Sequence, residues 1–558
     1  MKKAKKWQII SHETISATSR QDTLLEILLQ NRGISTKEEM EDFLHPILEK
    51  VTAENVGIDS KQITKTLTRL KKAIEQKEKI VVFGDYDVDG ITGTAILWET
   101  LHSLQAKVIP YIPNRIDEGY GLSIKGIENV VASHPDVKII VTVDNGIVAN
   151  AAVDFANEKN IEVIITDHHT VGEKLPNAFS IVHTTKVCGA AVAWILMQEL
   201  KEKKDTMHLD LVALATVADL VPLIGANRIL LTEGLKHLRK TSRPGLLALF
   251  QEAIIDASMI TPYHIGHIIG PRLNAMGRME SAMDSLRLLC TKDNNRAAML
   301  ASVLGSTNKD RQLITQNSSL HAIEQFRNKK IKNILFIANK TYEEGVIGLI
   351  AGKLVEEYYR PAIVISIGEK VSKASARSVS GFNIIEFIRT SQELLLNAGG
   401  HPMAAGFTIE TEKISLLQER LEKSIDQYLT EEILTATLKI DTETPFSIIT
   451  KKLYDAIQTL APFGMKNPEP VFLTKNVVVQ DNRVLGQGKH LKLVVSDSDG
   501  SHPIDAIAFS MGEREQEARK GKVLDIVYTI DENEWKGNKK LQLKIKDFQV
   551  GTNLSAKN

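Results

Sequence analysis

Four short runs rich in Val and Ile constrain the fold of this chain more than any other feature. They lie at residues 79–83, 107–112, 137–143 and 161–166, and stretches with helical periodicity separate them. Short apolar runs that alternate with helices are typical of a parallel sheet covered on both faces. Ligands of such sheets bind beyond the carboxyl ends of the strands. The sequence therefore predicts an α/β domain over residues 65–235, with functional residues directly after the runs.

Three carboxylates in five residues directly follow the first run. They belong to the segment Gly84-Asp85-Tyr86-Asp87-Val88-Asp89-Gly90. The EF-hand calcium loop opens in the same way, but it follows a helix and requires a Glu at its twelfth position, where this chain has Ile96. A solvated acidic turn is the second structural interpretation. The motif alone therefore disfavours a calcium loop and leaves an acidic turn open.

Further potential ligands follow later elements. The runs at 137–143 and 161–166 lead into Asp144 and into Asp167-His168-His169, and an apolar helix-like segment ends at Asp219. A single Asp after a strand is commonly a helix cap, and a single His is more often a core or surface residue. Because the ends of parallel strands meet at one edge of a sheet, we expect these side chains to converge there.

This set of side chains has the composition of a two-metal site. Five carboxylates and one imidazole without thiolates favour Mn²⁺ or Mg²⁺ over Zn²⁺. Two such ions about 3.5–4 Å apart can share one carboxylate and support an in-line displacement at phosphorus. The chain contains no Walker A loop, no dinucleotide-binding glycine fingerprint and no HExxH motif. The residues therefore predict phosphoester hydrolysis and argue against nucleotide-driven, redox and zinc-protease chemistry.

Outside this domain, the sequence pattern predicts four further segments. Residues 293–328 keep helical spacing and predict one rod of about 50 Å. From about residue 436 the runs are short, alternating and interrupted by Gly and Pro, as in a small β-barrel. The predicted segments are a helical lead-in (1–64), a helical connector (236–329), a second α/β domain (330–435) with strands at 333–338 and 362–366 and a helix at 346–357, and the barrel (436–558).

Composition narrows the partners and the location only slightly. Lys and Arg total 69, as do Asp and Glu, so the net charge is zero and a nucleic-acid partner would require local basic surfaces. Cys188 and Cys290 lie far apart without a CxxC motif, which argues against disulfides and cysteine zinc sites. The basic start at 1–6 precedes no apolar segment that would complete a signal peptide, and no membrane span is expected. We therefore expect a cytoplasmic protein.

The carboxylate motif at 85–90 together with Asp167-His168-His169 resembles the DHH phosphoesterase superfamily, and segments along nearly the whole chain resemble its RecJ branch. These segments, which are highly specific together, are Pro113-Asn114-Arg115 with Glu118-Gly119-Tyr120-Gly121-Leu122, Gly270-Pro271-Arg272-Leu273-Asn274-Ala275 with Gly277-Arg278, Gly345-Val346-Ile347-Gly348, Ser375-Ala376-Arg377-Ser378, Gly399-Gly400-His401-Pro402-Met403-Ala404-Ala405-Gly406, and Ala461-Pro462-Phe463-Gly464 with Asn467-Pro468-Glu469-Pro470. The resemblance implies a DHH domain, a long connecting helix, a DHH-associated domain and an oligonucleotide-binding (OB) barrel. It also implies an exonuclease that degrades single-stranded DNA from the 5′ end and releases 5′-mononucleotides in DNA repair and recombination.

The resemblance further implies roles for individual residues. Asp144 would bridge two Mn²⁺ or Mg²⁺ ions, and His169 would contact or protonate the scissile phosphate. The implied metal ligands are Asp85, Asp87, Asp89, Asp144, His168 and Asp219. The implied catalytic residues are Asp87, Asp144, His168 and His169. The implied phosphate-binding residues are Arg115, Arg278, Ser375, Arg377, Gly399, Gly400 and His401.

The C-terminal segment 540–546 alternates basic or polar residues with apolar ones. This period of two places Lys540 and Lys544 on one strand face, which could follow a DNA backbone. A solvated edge strand protected by lysines is the alternative interpretation. Besides single-stranded DNA, the resemblance indicates a RecQ-like helicase and a single-strand-binding protein as candidate partners.

Two segments depart from the family pattern, and two other functions are considered. The segment 181–184 stands where the family commonly has an Asn-Pro and a longer loop, and Tyr342-Glu343-Glu344 stands where it usually has Trp followed by His or Asn. One alternative is a superfamily relative acting on short RNA, cyclic dinucleotides or pyrophosphate, but such relatives usually lack the 461–463 region and the β-rich tail. The other is a non-catalytic scaffold, which would have lost metal ligands, whereas all six are present.

Overall fold

The computed structural model describes residues 5–13, 21–115, 117–201, 205–327, 329–535 and 537–551. Contacts between residues divide the chain into two units. The first unit contains Glu49–Val221 and Leu230–Ala436. The second contains Lys6–Leu48, Pro222–Ile229 and the residues from Thr437 onward. No described helix has both the length and the apolar content that a bilayer span requires.

The N-terminal segment belongs to the second unit. Its elements are β1 (Lys6–Ile9), α1 (Gln21–Gln30) and α2 (Lys37–Leu44). Leu24 and Leu28 of α1 are buried in the same core as Phe446 and Tyr528. Short helices do not bury an apolar face by themselves, so α1 depends on these partners. The structure thus has helices in the predicted lead-in of residues 1–64, but it adds the strand β1 and groups Lys6–Leu48 with the C-terminal residues.

A five-stranded parallel sheet forms the centre of the first unit, with strand order β3-β2-β4-β5-β6. Its elements are α3 (Ser60–Glu75), β2 (Lys79–Phe83), α4 (Val88–Ser103), β3 (Lys107–Tyr111), α5 (Ile124–Ser133), β4 (Val137–Val143), α6 (Asn150–Glu158), β5 (Glu162–Asp167) and β6 (Ser180–His183). The four predicted strands are confirmed with shifts of about one residue, and β2 is fully buried from Ile80 onward. β6 was not predicted, because four residues are too few to show a period.

Helices follow the sheet and lead to the second α/β part of this unit. They are α7 (Gly189–Leu200), α8 (Leu209–Ala218), α9 (Gly225–Leu238), α10 (Pro244–Glu252), α11 (Pro262–His264), a π-helical turn (Ile265–Ile269), α12 (Gly270–Met279), α13 (Met283–Cys290) and α14 (Asn294–Phe326). The Asp293 carboxylate accepts a hydrogen bond from Arg296 N at the start of α14. The predicted long helix is confirmed: α14 has 33 residues, which corresponds to about 50 Å.

A mixed five-stranded sheet follows α14, with strand order β10-β11-β9-β8-β7. Its elements are β7 (Leu335–Asn339), α15 (Ile347–Tyr358), β8 (Ala362–Ser366), β9 (Val371–Arg377), α16 (Ile384–Arg389), β10 (Leu395–His401), β11 (Ala404–Glu410) and α17 (Ile414–Ser424). Only β7 and β8 are parallel neighbours. This confirms the second α/β domain that the sequence predicts.

The C-terminal strands of the second unit close into a ring. The elements are β12 (Thr437–Ile440), β13 (Thr442–Glu443), α18 (Lys451–Gln458), β14 (Phe472–Leu485), β15 (His490–Ser496), β16 (Ile504–Ala508), β17 (Val523–Trp535) and β18 (Asn538–Val550). β14 pairs with both β15 and β17, and β18 pairs with both β16 and β17, which confirms the predicted barrel. Gln542–Ile545 thus has a neighbour on each side, so the edge-strand interpretation fails for that part of β18.

Candidate metal centre and phosphate pocket

Five acidic side chains are delivered to one edge of the parallel sheet by the ends of its elements. Asp85 and Asp87 follow β2, and the Asp87 carboxylate caps α4 by accepting hydrogen bonds from Asp89 N and Gly90 N. Asp144 follows β4, and Asp219 ends α8. Carboxylates suit the N-terminal end of α4 because the helix dipole is positive there. Gly90 is required by the tight loop, since a Cβ at this position would lie 2.6 Å from the backbone of Asp85.

Two ligand sets that share no residue form where these ends meet. One consists of Asp85, Asp87 and Asp144, and the other of Asp89, His168 and Asp219. A third set, Asp144, His168 and His169, overlaps both. Within each set the potential ligand atoms lie within 4.8 Å of one another. His168 Nε2 lies 3.0 Å from Asp144 Oδ1 and thereby connects the two sets. The structure thus brings together all six residues for which the sequence predicts metal binding.

Burial makes the charged forms of these groups costly. Burial and the neighbouring Asp87 raise the pKa of Asp89 to about 7, although Gly189 N and Ala190 N both donate to its carboxylate at 2.6 Å. Burial and the Asp89 charge raise the pKa of Asp219 to about 8. Burial also raises the pKa of Asp144 well above its ordinary value. A buried cluster of this kind keeps its protons unless a cation compensates the negative charge.

Three buried atoms without hydrogen-bond partners indicate whether divalent metal ions fit this cluster. Asp85 Oδ1, Asp144 Oδ1 and His168 Nε2 are buried and have no hydrogen-bond partner among the described residues, since the 3.0 Å contact between the last two atoms lacks the geometry of a hydrogen bond. Burial, followed by the charge of His169, lowers the pKa of His168 to about 4, so its imidazole is neutral, as a metal ligand must be. Buried polar atoms are normally satisfied, and oxygen-rich ligands with one imidazole suit Mn²⁺ or Mg²⁺. The donor set therefore fits the predicted ions.

His169 lies beside the cluster between Asp167 and Tyr120. Its Nδ1 is 2.8 Å from Asp167 Oδ1, and its Nε2 is 3.0 Å from the Tyr120 hydroxyl. Burial lowers the pKa of His169, but the hydrogen bond and charge of Asp167 outweigh it and raise the pKa to about 9. The Asp167 carboxylate also accepts a hydrogen bond from Ile147 N at 2.9 Å. The imidazole is therefore held in one orientation and keeps its proton at neutral pH.

Sequence reasoning missed the role of Asp167 and Tyr120. Asp167 was read as part of the Asp167-His168-His169 motif without a function of its own. Its signal was its place at the end of β5, where the carboxyl terminus of the strand meets the cluster. Tyr120 belongs to the family-like segment Glu118-Gly119-Tyr120-Gly121-Leu122, which was its only signal, and no periodicity predicts that its hydroxyl reaches His169.

A pocket of about 450 Å³ contains four of the predicted phosphate-binding residues. These are Arg115, Arg278, Ser375 and Arg377. None of the three arginines forms an ion pair among the described residues, and Glu344 is the acidic residue that lines the pocket with them. Burial and the charge of Arg115 lower the pKa of Arg278 to about 10, and the same two causes lower that of Arg377. Gathered cations without acidic partners are suited to an anion, and the guanidinium fork matches phosphate oxygens.

The other predicted phosphate-binding residues lie on the β10–β11 hairpin. The His401 ring stacks on His169 at 6.2 Å, which places it beside the ligand cluster. Gly399 and Gly400 pair with Gly406 and Ala405 in the hairpin and are not among the residues that line the pocket. A Cβ on Gly400 would lie 2.3 Å from Ala404 O, so this glycine is explained by the close approach of the two strands.

The two lysines predicted to follow DNA lie in the second unit. Lys540 is exposed and has no ion pair among the described residues. Lys544 Nζ lies 2.6 Å from Asp531 Oδ2, so its charge is partly neutralised. The face of β18 is therefore less basic than the alternating sequence alone indicates.

Three family models match the chain. The DHH family N-terminal domain matches residues 79–216, the DHHA1 domain matches 322–427, and the RecJ OB domain matches 440–547. These ranges contain the ligand clusters, the mixed sheet and the closed barrel, respectively.

Proteins named single-stranded-DNA-specific exonuclease RecJ are similar over nearly the whole chain. The Bacillus subtilis protein is 37% identical over 540 residues, which covers 94% of this chain and 68% of that protein. The Escherichia coli protein is 31% identical over 567 residues, which covers 95% of this chain and 96% of that protein. The crystal structure of Thermus thermophilus RecJ in complex with Mn²⁺ has a TM-score of 0.83 at 27% identity and covers 98% of this chain and 80% of that one. Together with the shared domains, these similarities establish that the chain belongs to the RecJ family.

Proposed function

We propose that this protein is a metal-dependent exonuclease that degrades single-stranded DNA from the 5′ end, releases 5′-mononucleotides and acts in DNA repair and recombination. One observation carries this proposal: two ligand sets joined through Asp144 and His168 lie in the same unit as a pocket with three arginines that lack acidic partners. The first feature suits hydrolysis of a phosphodiester, and the second suits capture of a terminal phosphate.

Two Mn²⁺ or Mg²⁺ ions are the proposed cofactors. Asp85, Asp87 and Asp144 would hold one, and Asp89, His168 and Asp219 the other, with Asp144 shared. When bound, such ions activate water and neutralise charge on the attacking and departing oxygens. The backbone N–H groups of Gly189 and Ala190 fix the Asp89 carboxylate, so that this ligand is oriented in advance.

The residues beside the ligands are proposed to orient the substrate and to stabilise charge on it. Protonated His169 is held by Asp167 and directs its other N–H group toward the Tyr120 hydroxyl. In this position we propose that His169 donates a hydrogen bond to a non-bridging oxygen of the scissile phosphate and stabilises the negative charge that develops there. His401, stacked on His169, would restrict the movement of that ring.

The polarity of degradation is proposed to come from the arginine pocket. Arg115, Arg278 and Arg377, with the Ser375 hydroxyl, would bind the 5′ phosphate, while the next phosphodiester lies at the ligand cluster. Tyr86 and Tyr120 also line this pocket and offer aromatic surface to a base. Gly399 and Gly400 stay candidates for backbone contacts with phosphate, although the structure gives them a role in the hairpin.

The OB barrel is proposed to bind the strand beyond the cleaved end. Lys540 is the stronger of the two predicted contacts because Lys544 already pairs with Asp531. A RecQ-like helicase and a single-strand-binding protein are proposed partners, and the cytoplasm is the proposed location.

The two alternative functions are weakened by specific features. A superfamily relative acting on short RNA, cyclic dinucleotides or pyrophosphate would not require the OB domain matched at 440–547. A non-catalytic scaffold would not retain two complete ligand sets.

The decisive experiment compares Asp144→Ala with Asp136→Ala in the presence of Mn²⁺. Wild-type protein should release a 5′ label from single-stranded DNA as a mononucleotide, convert a 3′-labelled strand into a descending ladder, and leave blunt duplex largely intact. Asp144→Ala should lower the rate by more than the roughly 100-fold that loss of an outer-shell partner can cost. Asp136 pairs with Lys79 and Lys107 at the opposite end of the sheet, so Asp136→Ala should stay within about twofold of wild type. Undiminished activity of Asp144→Ala, or first release of a 3′ label, would contradict the proposal.

A further inference from the structure

A second cavity adjoins the arginine pocket. It has a volume of about 640 Å³ and lies between α14 and α15. Gly348 and Arg377 line both cavities. The proposed site for the 5′ phosphate therefore borders a groove along α14, with Arg377 in the lining of both. This volume lies within the usual range for sites that bind small organic ligands.

Three buried polar atoms along this groove have no hydrogen-bond partner among the described residues. They are Arg311 Nε, Thr315 Oγ1 and Ser319 Oγ, and all three residues line the groove. The residues are four positions apart on α14, so they share one face of the helix and extend over roughly 12 Å. Ser319 is only 6% exposed. Buried polar groups are normally satisfied, and a row of unsatisfied ones indicates a polar ligand that supplies the missing partners.

The rest of the groove is largely apolar and has open space. Leu320, Ile323 and Leu349 contribute apolar surface. Gly352 of α15 also lines it, and a Cβ built at this residue would meet no atom within 4 Å. The groove thus has a cationic end formed by Arg311 and Arg377, a row of polar atoms and an apolar wall.

We propose that this groove binds the nucleoside that precedes, in the 5′ direction of the strand, the phosphate held by Arg377. This nucleoside is attached to the phosphate through its 3′ oxygen. The inference rests on the proposed function, because the phosphate pocket defines where the groove begins. A nucleoside matches each part: its phosphate lies at the arginines, its sugar and base carry hydrogen-bonding atoms, and the face of its base packs on apolar side chains. Inorganic phosphate alone would leave the apolar part unused, and an apolar ligand would leave the polar row unsatisfied.

Occupation of the groove shifts the strand by one nucleotide. The second phosphodiester then lies at the ligand cluster, and water adds across its bond between phosphorus and the 3′ oxygen. The oxygen of water joins phosphorus, and one of its protons ends on the departing 3′ oxygen. The products are a dinucleotide with a free 3′ hydroxyl and a shortened strand that carries the 5′ phosphate. The enzyme therefore releases dinucleotides whenever the first linkage cannot be cut.

The test uses a single strand with a 5′ hydroxyl whose first internucleotide linkage has methylene in place of the bridging 3′ oxygen. This linkage keeps its negative charge but cannot be hydrolysed. Wild-type protein with Mn²⁺ should release the modified dinucleotide as its first product, which mass spectrometry identifies. If wild type degrades an unmodified strand but releases nothing from the modified one, the groove proposal fails and the proposed function stands.

Gly352→Leu fills the groove without a backbone clash, and leucine is a good helix former. The quantity compared is the ratio of dinucleotide release from the modified strand to mononucleotide release from the unmodified strand. In Gly352→Leu we expect this ratio to fall at least about tenfold, because overfilling a site excludes its ligand. Gly352→Ala is the matched control and should change this ratio by less than about threefold, since the added methyl group enters open space. An equal ratio in wild type and Gly352→Leu would overturn the proposal.

A binding measurement without metal separates the groove from catalysis. Thymidylyl-(3′→5′)-thymidine is titrated into the full-length protein in EDTA and followed by calorimetry. Thr315→Val preserves side-chain shape but removes the unpartnered hydroxyl, so affinity should fall about fivefold, and Gly352→Leu should weaken binding further. If both variants bind as tightly as wild type, the groove does not hold the nucleoside, whatever the nuclease assay shows.

Discussion

Asp144 and His168 illustrate how one environment acts on two kinds of side chain. Burial raises the pKa of Asp144 and lowers that of His168, so it favours the uncharged form of both. The neutral imidazole is ready to bind a cation, whereas the carboxylate must lose its proton to do so. Cation binding at this cluster therefore releases protons and depends on pH.

Glu99 has the opposite behaviour, although it is also largely buried. Burial raises its pKa, but hydrogen bonds from His208 and Arg243 outweigh burial and lower the pKa from 4.5 to about 2. A carboxyl group whose pKa is lower in the folded state stabilises that state above its unfolded pKa. The contribution is lost as pH falls from about 4.5 toward 2.

We predict that Glu99→Gln lowers the free energy of unfolding at pH 7 by up to about 3 kcal/mol, the energy that corresponds to this pKa difference. Denaturant unfolding followed by circular dichroism at pH 7, 4.5 and 3.5 measures the effect. The difference from wild type should stay constant down to about pH 4.5 and shrink at pH 3.5. Glu158→Gln changes an exposed residue of α6 and serves as the control. A difference that grows on acidification would contradict the assigned ion pairs.

At the scale of elements, α12 supports the carboxylate loop from outside the sheet. Asn274 Oδ1 accepts a hydrogen bond from Val88 N at 2.9 Å, in the middle of the loop that carries Asp87 and Asp89. Gly277 packs on the same loop, and a Cβ there would lie 2.4 Å from Tyr86 O. The geometry of a ligand loop depends on such supporting contacts. Asn274 is therefore a positioning residue rather than a ligand.

We predict that Asn274→Ala lowers the nuclease rate about 10- to 100-fold, as loss of an outer-shell partner does. The concentration of Mn²⁺ that gives half-maximal activity should rise, because the loop loses its fixed position. Nuclease assays across a Mn²⁺ titration measure both effects, with circular dichroism as a check on folding. His267→Ala alters an exposed residue of the preceding π-helical turn and should behave as wild type. An unchanged metal requirement in Asn274→Ala would assign this residue a role in stability alone.

At the scale of the whole molecule, the second unit is assembled from distant parts of the chain. Lys6–Leu48 packs with the residues from Thr437 onward. Leu24 and Phe43 are 1% and 5% exposed within this shared core. A truncation that removes only the C-terminal residues therefore uncovers an apolar surface on α1 and α2.

We predict that a fragment of residues 1–436 binds more of the dye 8-anilinonaphthalene-1-sulfonate than a fragment of residues 49–436, because dyes of this kind bind exposed apolar surface. The fluorescence of the bound dye should be at least about threefold higher for the longer fragment. Fluorescence titration at equal protein concentration makes the comparison. Replacing Leu24 and Leu28 by Ser in the longer fragment should remove most of the excess. Equal dye binding by the two fragments would mean that Lys6–Leu48 does not need its C-terminal partners.

Local sequence determined the strands, the long helix and the type of chemistry. The Val and Ile runs predicted β2 to β5 because a buried strand requires a continuous apolar run, and Asp85, Asp144 and His168 were found because ligands follow strand ends. The DHH and OB character came from motifs that keep their spacing within short segments. All of these signals depend on neighbours close in the chain.

Only the tertiary structure decided which distant residues meet. It joined Asn274 to Val88, placed Lys6–Leu48 with the barrel, gave β18 a neighbour on both sides, and brought Arg311 and Arg377 to one groove. These contacts connect segments that no period or turn motif relates, because they follow from the packing of whole elements. The sequence therefore determined what the carboxylate cluster can do, and the fold decided what surrounds it.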